Sequence, residues 1–245
     1  MSDVALGVVG TLTTGAGLGF CVWVNRVLNS GRLRSSELID RTDMAFTRDW
    51  FSNSIPSWNE ALAPFKGGEN LRFLEIGSFE GRSSCWLLEN VLTSDSSVLH
   101  CVDPWVGPIY ERFIDSVSPW KDKVVMHRGK SEDMLPLIPG PFDLVYIDGL
   151  HMGFNVLQDA VLTWNKLKVG GLMIFDDYLW EHQGLDRTLV PKDAVDGFLS
   201  VIHGRYELLH LGYQVIIRKN GRGAEFEKQY FDYCQSVSAD LSPVF

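Results

Sequence analysis

The sequence predicts an α/β fold: a Rossmann-like, doubly wound, mostly parallel seven-stranded sheet that ends in an antiparallel hairpin, with helices on both faces. Three observations predict it. From Leu71 onward, short apolar runs alternate with helical patterns, the signature of a parallel sheet. The first run, Phe73-Leu74-Glu75-Ile76, passes into Gly77-Ser78-Phe79-Glu80-Gly81 and then into a helix start, an arrangement that holds a polar small molecule at a sheet edge. Near the C-terminus only a Gly212-Tyr213 turn separates two apolar runs, so these must pair antiparallel.

The expected strands are Leu71 to Ile76, Val98 to Val102, Val124 to His127, Phe142 to Ile147 and Gly171 to Phe175, then Tyr206 to Leu211 and Gln214 to Arg218. Each of the first five is a short apolar run, as expected of strands covered on both faces. Between the fourth and fifth, Phe154, Leu157, Val161, Trp164 and Lys168 recur at spacings of three and four. The pattern predicts a helix that buries its first four and stops at Gly170-Gly171. A further helix begins near Pro191, with Ala194, Val195, Phe198, Leu199 and Ile202 as its apolar face. A last helix spans Ala224 to Ser236, with Phe226, Tyr230 and Tyr233 on one side. Ser35 to Pro64 reads as amphipathic helix broken at Pro56 and anchored by Trp50, Phe51, Trp58 and Leu62.

The chain divides into residues 1–25, a helical segment 26–68, and the main domain 69–245. Val4 to Asn25 contains no charged residue and is long enough to span a bilayer, and Arg26, Arg32 and Arg34 follow it. Its many glycines make it equally a soluble leader. Two placements follow: cytoplasmic, or membrane-anchored through residues 4–25 with the domain facing the cytoplasm. The net charge of −9 argues against a nucleic-acid partner. Four scattered cysteines without a C-x-x-C pair fit a reducing compartment. A homo-oligomer stays open.

In open α/β sheets, ligands bind beyond the carboxyl ends of the strands. Those ends carry Glu75 to Gly81, Asp103, Gly129-Lys130-Ser131-Glu132, Asp148-Gly149-Leu150-His151 and Asp176-Asp177-Tyr178. Asp103 is placed to accept hydrogen bonds from a ribose diol; otherwise it is a turn residue before Pro104. The loop lacks G-x-G-x-x-G, and its acids Glu75 and Glu80 suit a cationic ligand better than a pyrophosphate.

These residues identify a resemblance. Leu74-Glu75-Ile76-Gly77-x-x-x-Gly81, Val102-Asp103, Asp143-Leu-Val-Tyr-Ile-Asp148-Gly and Val169-Gly-Gly-x-x-x-Phe-Asp176-Asp177-Tyr178 follow the order seen in class I S-adenosylmethionine-dependent methyltransferases. The chain resembles most the catechol O-methyltransferase-like and metal-dependent small-molecule O-methyltransferases. The resemblance covers about Leu71 to Arg218. It implies that Glu75 and the Gly77–Gly81 loop, with Ser78 and Ser83, hold the methionine moiety. Asp103 would bind the ribose, Ser131 and Glu132 would meet the adenine, and Trp105 would stack on or close the pocket. Asp148 would adjoin the cofactor, and Asp148, Asp176 and Asp177 match metal-binding positions.

The implied chemistry is methyl transfer to a hydroxyl of a small molecule. An all-oxygen donor set favours Mg²⁺ over Zn²⁺ and lowers the pKa of a bound hydroxyl; the alternative is a metal-free enzyme with hydrogen-bonded strand-end acids. The catechol enzymes carry a lysine as general base three residues after the acid at position 148, where this chain has His151. A histidine there suits proton removal at neutral pH, with a structural role as the alternative. Tyr178, Trp180, His182 and Arg187 fall where an acceptor pocket is expected. Two other functions stay open at this stage: a non-catalytic S-adenosylmethionine-binding module, and a hydroxylase-like reaction on the same fold.

Overall fold

The computed structural model describes residues 46–181 and 186–240. The leader 1–25, the first part of the N-terminal helical segment and His182 lie outside the described residues. Seven strands form one sheet in the order β3-β2-β1-β4-β5-β7-β6. They are β1 Arg72–Ile76, β2 Val98–Asp103, β3 Val124–Arg128, β4 Phe142–Ile147, β5 Leu167–Phe175, β6 Tyr206–Leu211 and β7 Val215–Lys219. β1 to β5 are mutually parallel, and β7 runs antiparallel to both β5 and β6. The strand order reverses between β1 and β4, so the first glycine loop opens at the switch point.

The sheet is covered on both faces because alternate residues point opposite ways. On one face Phe73, Leu99, Leu144, Tyr146 and Ile174 pack under α1 Ile55–Ala61, α2 Arg82–Asn90 and α3 Ile109–Val117. On the other Leu74, Ile76, Val102, Val145, Met173 and Phe175 meet α4 Ser131–Met134, α5 Gly153–Trp164 and α6 Lys192–Val201. The chain closes with α7 Gly223–Asp240. Among the described residues no helix is long and apolar enough to cross a membrane.

Three expectations need correction. Pro56 does not break a helix. It sits in the first turn of α1, where its missing N–H has no intrahelical partner to lose. Phe51, Trp58 and Leu62 are core residues, but Trp50 is exposed. Gly170-Gly171 does not stop a helix. α5 ends at Trp164, and β5 already begins at Leu167, so the two glycines and Lys168 lie within the strand. Gly170 takes φ +83°, and Lys168 pairs with Asp143 of β4 at 2.8 Å.

The largest departure is the face of α5. Phe154, Leu157 and Val161 are 72%, 37% and 57% exposed, whereas Val156, Ala160, Thr163 and Trp164 are buried. The helix also buries Asp159, 1% exposed, which is its single charged residue. Both faces of the helix carry apolar residues, so spacing alone leaves its rotation open.

Candidate functional site

The glycine loop is shaped by close approaches. Gly77 leaves β1 at φ +87°, and a Cβ there would lie 1.9 Å from the Asp148 carbonyl oxygen. Only glycine lets the exits of β1 and β4 pass each other. Gly81 opens α2 at φ +88°, and between them Phe79 is held at φ +46°. Neither loop acid faces outward. Glu75 is fully buried; Ser83 Oγ donates to one oxygen at 2.5 Å, and Ser84 Oγ donates to the other. Burial raises its pKa, against the pull of these hydroxyls. Glu80 is buried too, and accepts from the Thr47 N–H and hydroxyl, each at 2.7 Å, with Arg112 at 3.6 Å. The two acids therefore brace the loop from behind. Ser78 Oγ is buried without a hydrogen-bond partner.

Asp103 ties two loops together. Its Oδ2 accepts from the Phe79 N–H at 2.9 Å and its Oδ1 from the Trp105 N–H at 2.6 Å. Each oxygen keeps a second lone pair for a diol. Burial raises the Asp103 pKa against these backbone bonds. Trp105 is fully buried, packs on Phe113 at 4.6 Å and donates its indole N–H to the Phe79 carbonyl at 3.1 Å. It supports the loop from within the core. Ser131 and Glu132 open α4, half-buried, beyond the end of β3.

A second group gathers at the ends of β4 and β5. Tyr146 Oη lies 2.8 Å from Asp148 Oδ2 and also contacts Asp176 Oδ2. Gln214 Nε2 donates to Asp176 Oδ2 at 2.9 Å, and Trp58 Nε1 donates to Gln214 at 2.7 Å. Asp176 Oδ1 accepts from the Asp177 N–H at 2.7 Å. Burial and the neighbouring acids push the Asp176 carboxyl up to about 6 and the Asp148 carboxyl well above its usual range. Asp177, at φ +55°, accepts from Tyr213 Oη at 2.7 Å and lies 2.8 Å from His151 Nδ1. This hydrogen bond raises the His151 pKa, against desolvation. Trp180 stands edge-on to His151 at 5.4 Å.

Among the described residues, the donor atoms of Asp148, His151 and Asp177 lie within 4.8 Å of one another. This trio differs from the expected Asp148, Asp176 and Asp177, because Asp176 is engaged by Tyr146, Gln214 and its neighbour's amide. Of the residues expected to line an acceptor pocket, Trp180 adjoins His151. Tyr178 is buried and points its hydroxyl to Asp196 at 2.9 Å, and Arg187 pairs with Asp193 at 2.7 Å. Tyr146, Gln214, Trp58, Tyr213 and Asp159 were not foreseen. Tyr146 alone carried a signal, being two residues before Asp148 on the same strand.

Residues 74–178 match the sequence model of a family described as a methyltransferase domain. Over that stretch the chain is similar to this family. Its sheet order and terminal hairpin agree with the class I fold, and the glycine loop, Asp103, Asp148 and Asp176 all fall within the matched stretch. The chain is 28% identical over 109 residues to the O-methyltransferase hkm8 of Aspergillus hancockii, covering 43% of this chain and 42% of the relative. It is 26% identical over 128 residues to protein R132 of Acanthamoeba polyphaga mimivirus, covering 49% and 57%. It thus spans about half the length of these curated relatives. Among solved structures, the chain superposes on an O-methyltransferase from Bacillus cereus in complex with SAH. The TM-score is 0.56 at 16% identity, covering 72% of this chain and 85% of the other. It also superposes on the O-methyltransferase TomG from Streptomyces achromogenes in complex with SAM. There the TM-score is 0.53 at 19% identity, covering 74% and 83%. At these identities the likeness speaks for the fold.

Proposed function

We propose that this protein transfers a methyl group from S-adenosylmethionine to a hydroxyl of a small molecule. The observation that carries the reading is the shared rim. The glycine loop, Asp103 and Ser131–Glu132 lie along one half, and Asp148, His151 and Asp177 along the other, all at carboxyl ends of neighbouring parallel strands. The residues fit the cofactor. Ser78 Oγ is a buried hydroxyl that lacks a partner, and Asp103 keeps acceptor capacity for a ribose. When bound, S-adenosylmethionine supplies an electrophilic methyl group.

The chain's own part is to orient the acceptor and take its proton. His151 Nδ1 faces the Asp177 carboxylate, so the imidazole carries its proton there and leaves Nε2 as the basic atom. Asp177, clamped by Tyr213, fixes the ring; Trp180 packs against it. A divalent cation is a second reading of the same group, favoured by the closeness of the three donor atoms; the imidazole among them suits a transition ion better than the Mg²⁺ that an all-oxygen set would favour. Asp148, Asp177 and His151 would then hold it, and it would supply Lewis acidity toward the hydroxyl.

Isothermal titration with S-adenosylmethionine and S-adenosylhomocysteine tests the cofactor. Absence of heat with either removes the proposal. A methyl-labelled cofactor offered to a set of hydroxyl-bearing metabolites tests transfer; binding without transfer would favour a non-catalytic module. Against an acceptor found in this way, His151→Gln is expected to lower turnover by about 100-fold with the cofactor affinity kept. Full activity in excess EDTA would eliminate the cation.

A further inference from the structure

The glycine loop contains a tight turn with a bulky residue where glycine is the usual choice. The Gly81 N–H donates to the Ser78 carbonyl at 2.7 Å, closing a turn over residues 78–81, and Phe79 sits inside it at φ +46°. A side chain persists in that region of φ only where its surroundings over-determine it. One set of restraints comes from the end of β2. Asp103 Oδ2 accepts from the Phe79 N–H, and the Trp105 indole donates to the Phe79 carbonyl. The other set comes from outside the sheet, from residues 46–52 ahead of α1. The Trp50 ring meets the Phe79 ring at 5.2 Å. Thr47 donates its N–H to one carboxylate oxygen of Glu80 and its hydroxyl to the other, each at 2.7 Å. Beyond Gly81, Arg82 Nη2 donates to Ser52 Oγ at 2.7 Å, and its guanidinium lies over the rings of Phe46 and Phe51. The residues on both sides of Gly81 therefore reach back to one short segment. A loop acid with no task would point to water, where a carboxylate is best solvated. Glu80 is instead 3% exposed, held by Thr47 and by Arg112 at 3.6 Å.

We infer that residues 46–52 form a clasp that holds the glycine loop in its cofactor-binding shape, with Glu80 as the positioning residue through which the clasp acts. The inference rests on the cofactor reading above. It adds to that reading a segment that precedes the stretch matched by the family, residues 74–178. Glu80 faces Thr47 and Arg112, so it works on the shape of the loop and not on the ligand directly. The effect is mutual by thermodynamic linkage: a clasp that tightens cofactor binding is itself tightened by the cofactor.

The test is isothermal titration of the full chain with S-adenosylhomocysteine. The variants are Glu80→Gln, Thr47→Val and Thr47→Ser, with thermal melting confirming that each is folded. Glu80→Gln is expected to weaken binding by about tenfold and Thr47→Val by about fivefold, through loss of the charge-assisted hydrogen bonds that hold the loop. Thr47→Ser keeps both donors and should stay within about twofold of wild type. Linkage supplies a second readout, tryptic cleavage after the exposed Arg48. Saturating S-adenosylhomocysteine should slow it several-fold in wild type and have little effect in Glu80→Gln, with cleavage after the exposed Lys228 on α7 unchanged in both. Wild-type affinity in both Glu80→Gln and Thr47→Val overturns the inference and leaves the cofactor reading in place. So does an equal loss in Thr47→Ser, or cleavage after Arg48 that is indifferent to the ligand in wild type. Should Glu80→Gln fail to fold, the contrast between Thr47→Val and Thr47→Ser decides in its place. A wild-type chain that does not bind S-adenosylhomocysteine overturns the cofactor reading and this inference with it.

Discussion

The glycine loop leaves the carboxyl end of β1 and helix α5 starts beyond that of β4, so both set out from the rim, yet only the loop was readable in advance. In the loop, each residue's role follows from its immediate neighbours along the chain. A strand must stop, the backbone must take φ > 0, and a helix must start. In α5 the buried side is decided by packing against other elements: Val156, Ala160 and Trp164 join a cluster with residues of β4, β5 and α6. A helix with apolar residues on two faces has no local reason to choose between them. The lesson is that turn chemistry specifies strand ends, whereas packing against other elements sets the rotation of this helix.

That contrast can be broken or sharpened by measurement. The largest effect is expected at Gly77. Gly77→Ala places a methyl 1.9 Å from the Asp148 carbonyl oxygen in a backbone conformation that disfavours side chains. It should destabilise the fold by about 3–5 kcal/mol and abolish S-adenosylhomocysteine binding, read by denaturant unfolding and titration. Retained stability would mean that the loop is less constrained than its neighbours dictate. Asp103→Ala follows. It removes two loop-to-loop hydrogen bonds and the diol acceptor, so cofactor affinity should fall about 100-fold, on the order of 3 kcal/mol. Calorimetric titration checks it, and a loss under threefold would refute the ribose role.

For α5 the effects are smaller and depend on pH. The Asp159 carboxyl sits at about 6 in the folded chain, against an ordinary value of 3.8. The folded state therefore binds more protons than the unfolded state between these values. Stability from this group is full below about pH 4 and is lost as pH rises through about 6. Relative to Asp159→Asn, wild type should lose up to ~3 kcal/mol between pH 4 and pH 7. Urea unfolding of both proteins across that range gives the difference, and a gap that stays constant with pH contradicts it. Smallest of all is the outward stripe. Phe154→Ser should change stability by less than about 0.5 kcal/mol, whereas Val156→Ala on the inner face should cost about 1–2 kcal/mol. Reversed magnitudes would restore the rotation that spacing alone suggests.

Much of the fold was legible because parallel strands read as short apolar runs and because a two-residue turn at Gly212-Tyr213 forces antiparallel pairing. Phe142–Ile147 and Tyr206–Leu211 were read with their observed bounds. β5 was cut short because Gly170-Gly171 looks like punctuation, while in space Gly171 passes close to the Asp143 carbonyl. At the rim, the acids were found because each ends a strand. Their hydrogen-bond partners were not, because Gln214 and Tyr213 come from the hairpin and Trp58 from a helix before the sheet. Glu75 and Glu80 were read as facing a ligand, since nothing in their local sequence reveals that Ser83, Ser84 and Thr47 would claim them.

The links made by Thr47 and Trp58 bear on how small a working version of this protein can be. Residues 74–178 suffice to recognise the domain by its sequence, but excising them would leave Glu80 sealed beside Arg112 without the hydroxyl and amide it now accepts from. It would also remove Gln214, which donates to Asp176, together with the Trp58 indole that donates to Gln214. The smallest autonomous piece therefore begins no later than residue 46 and extends through the β6–β7 hairpin.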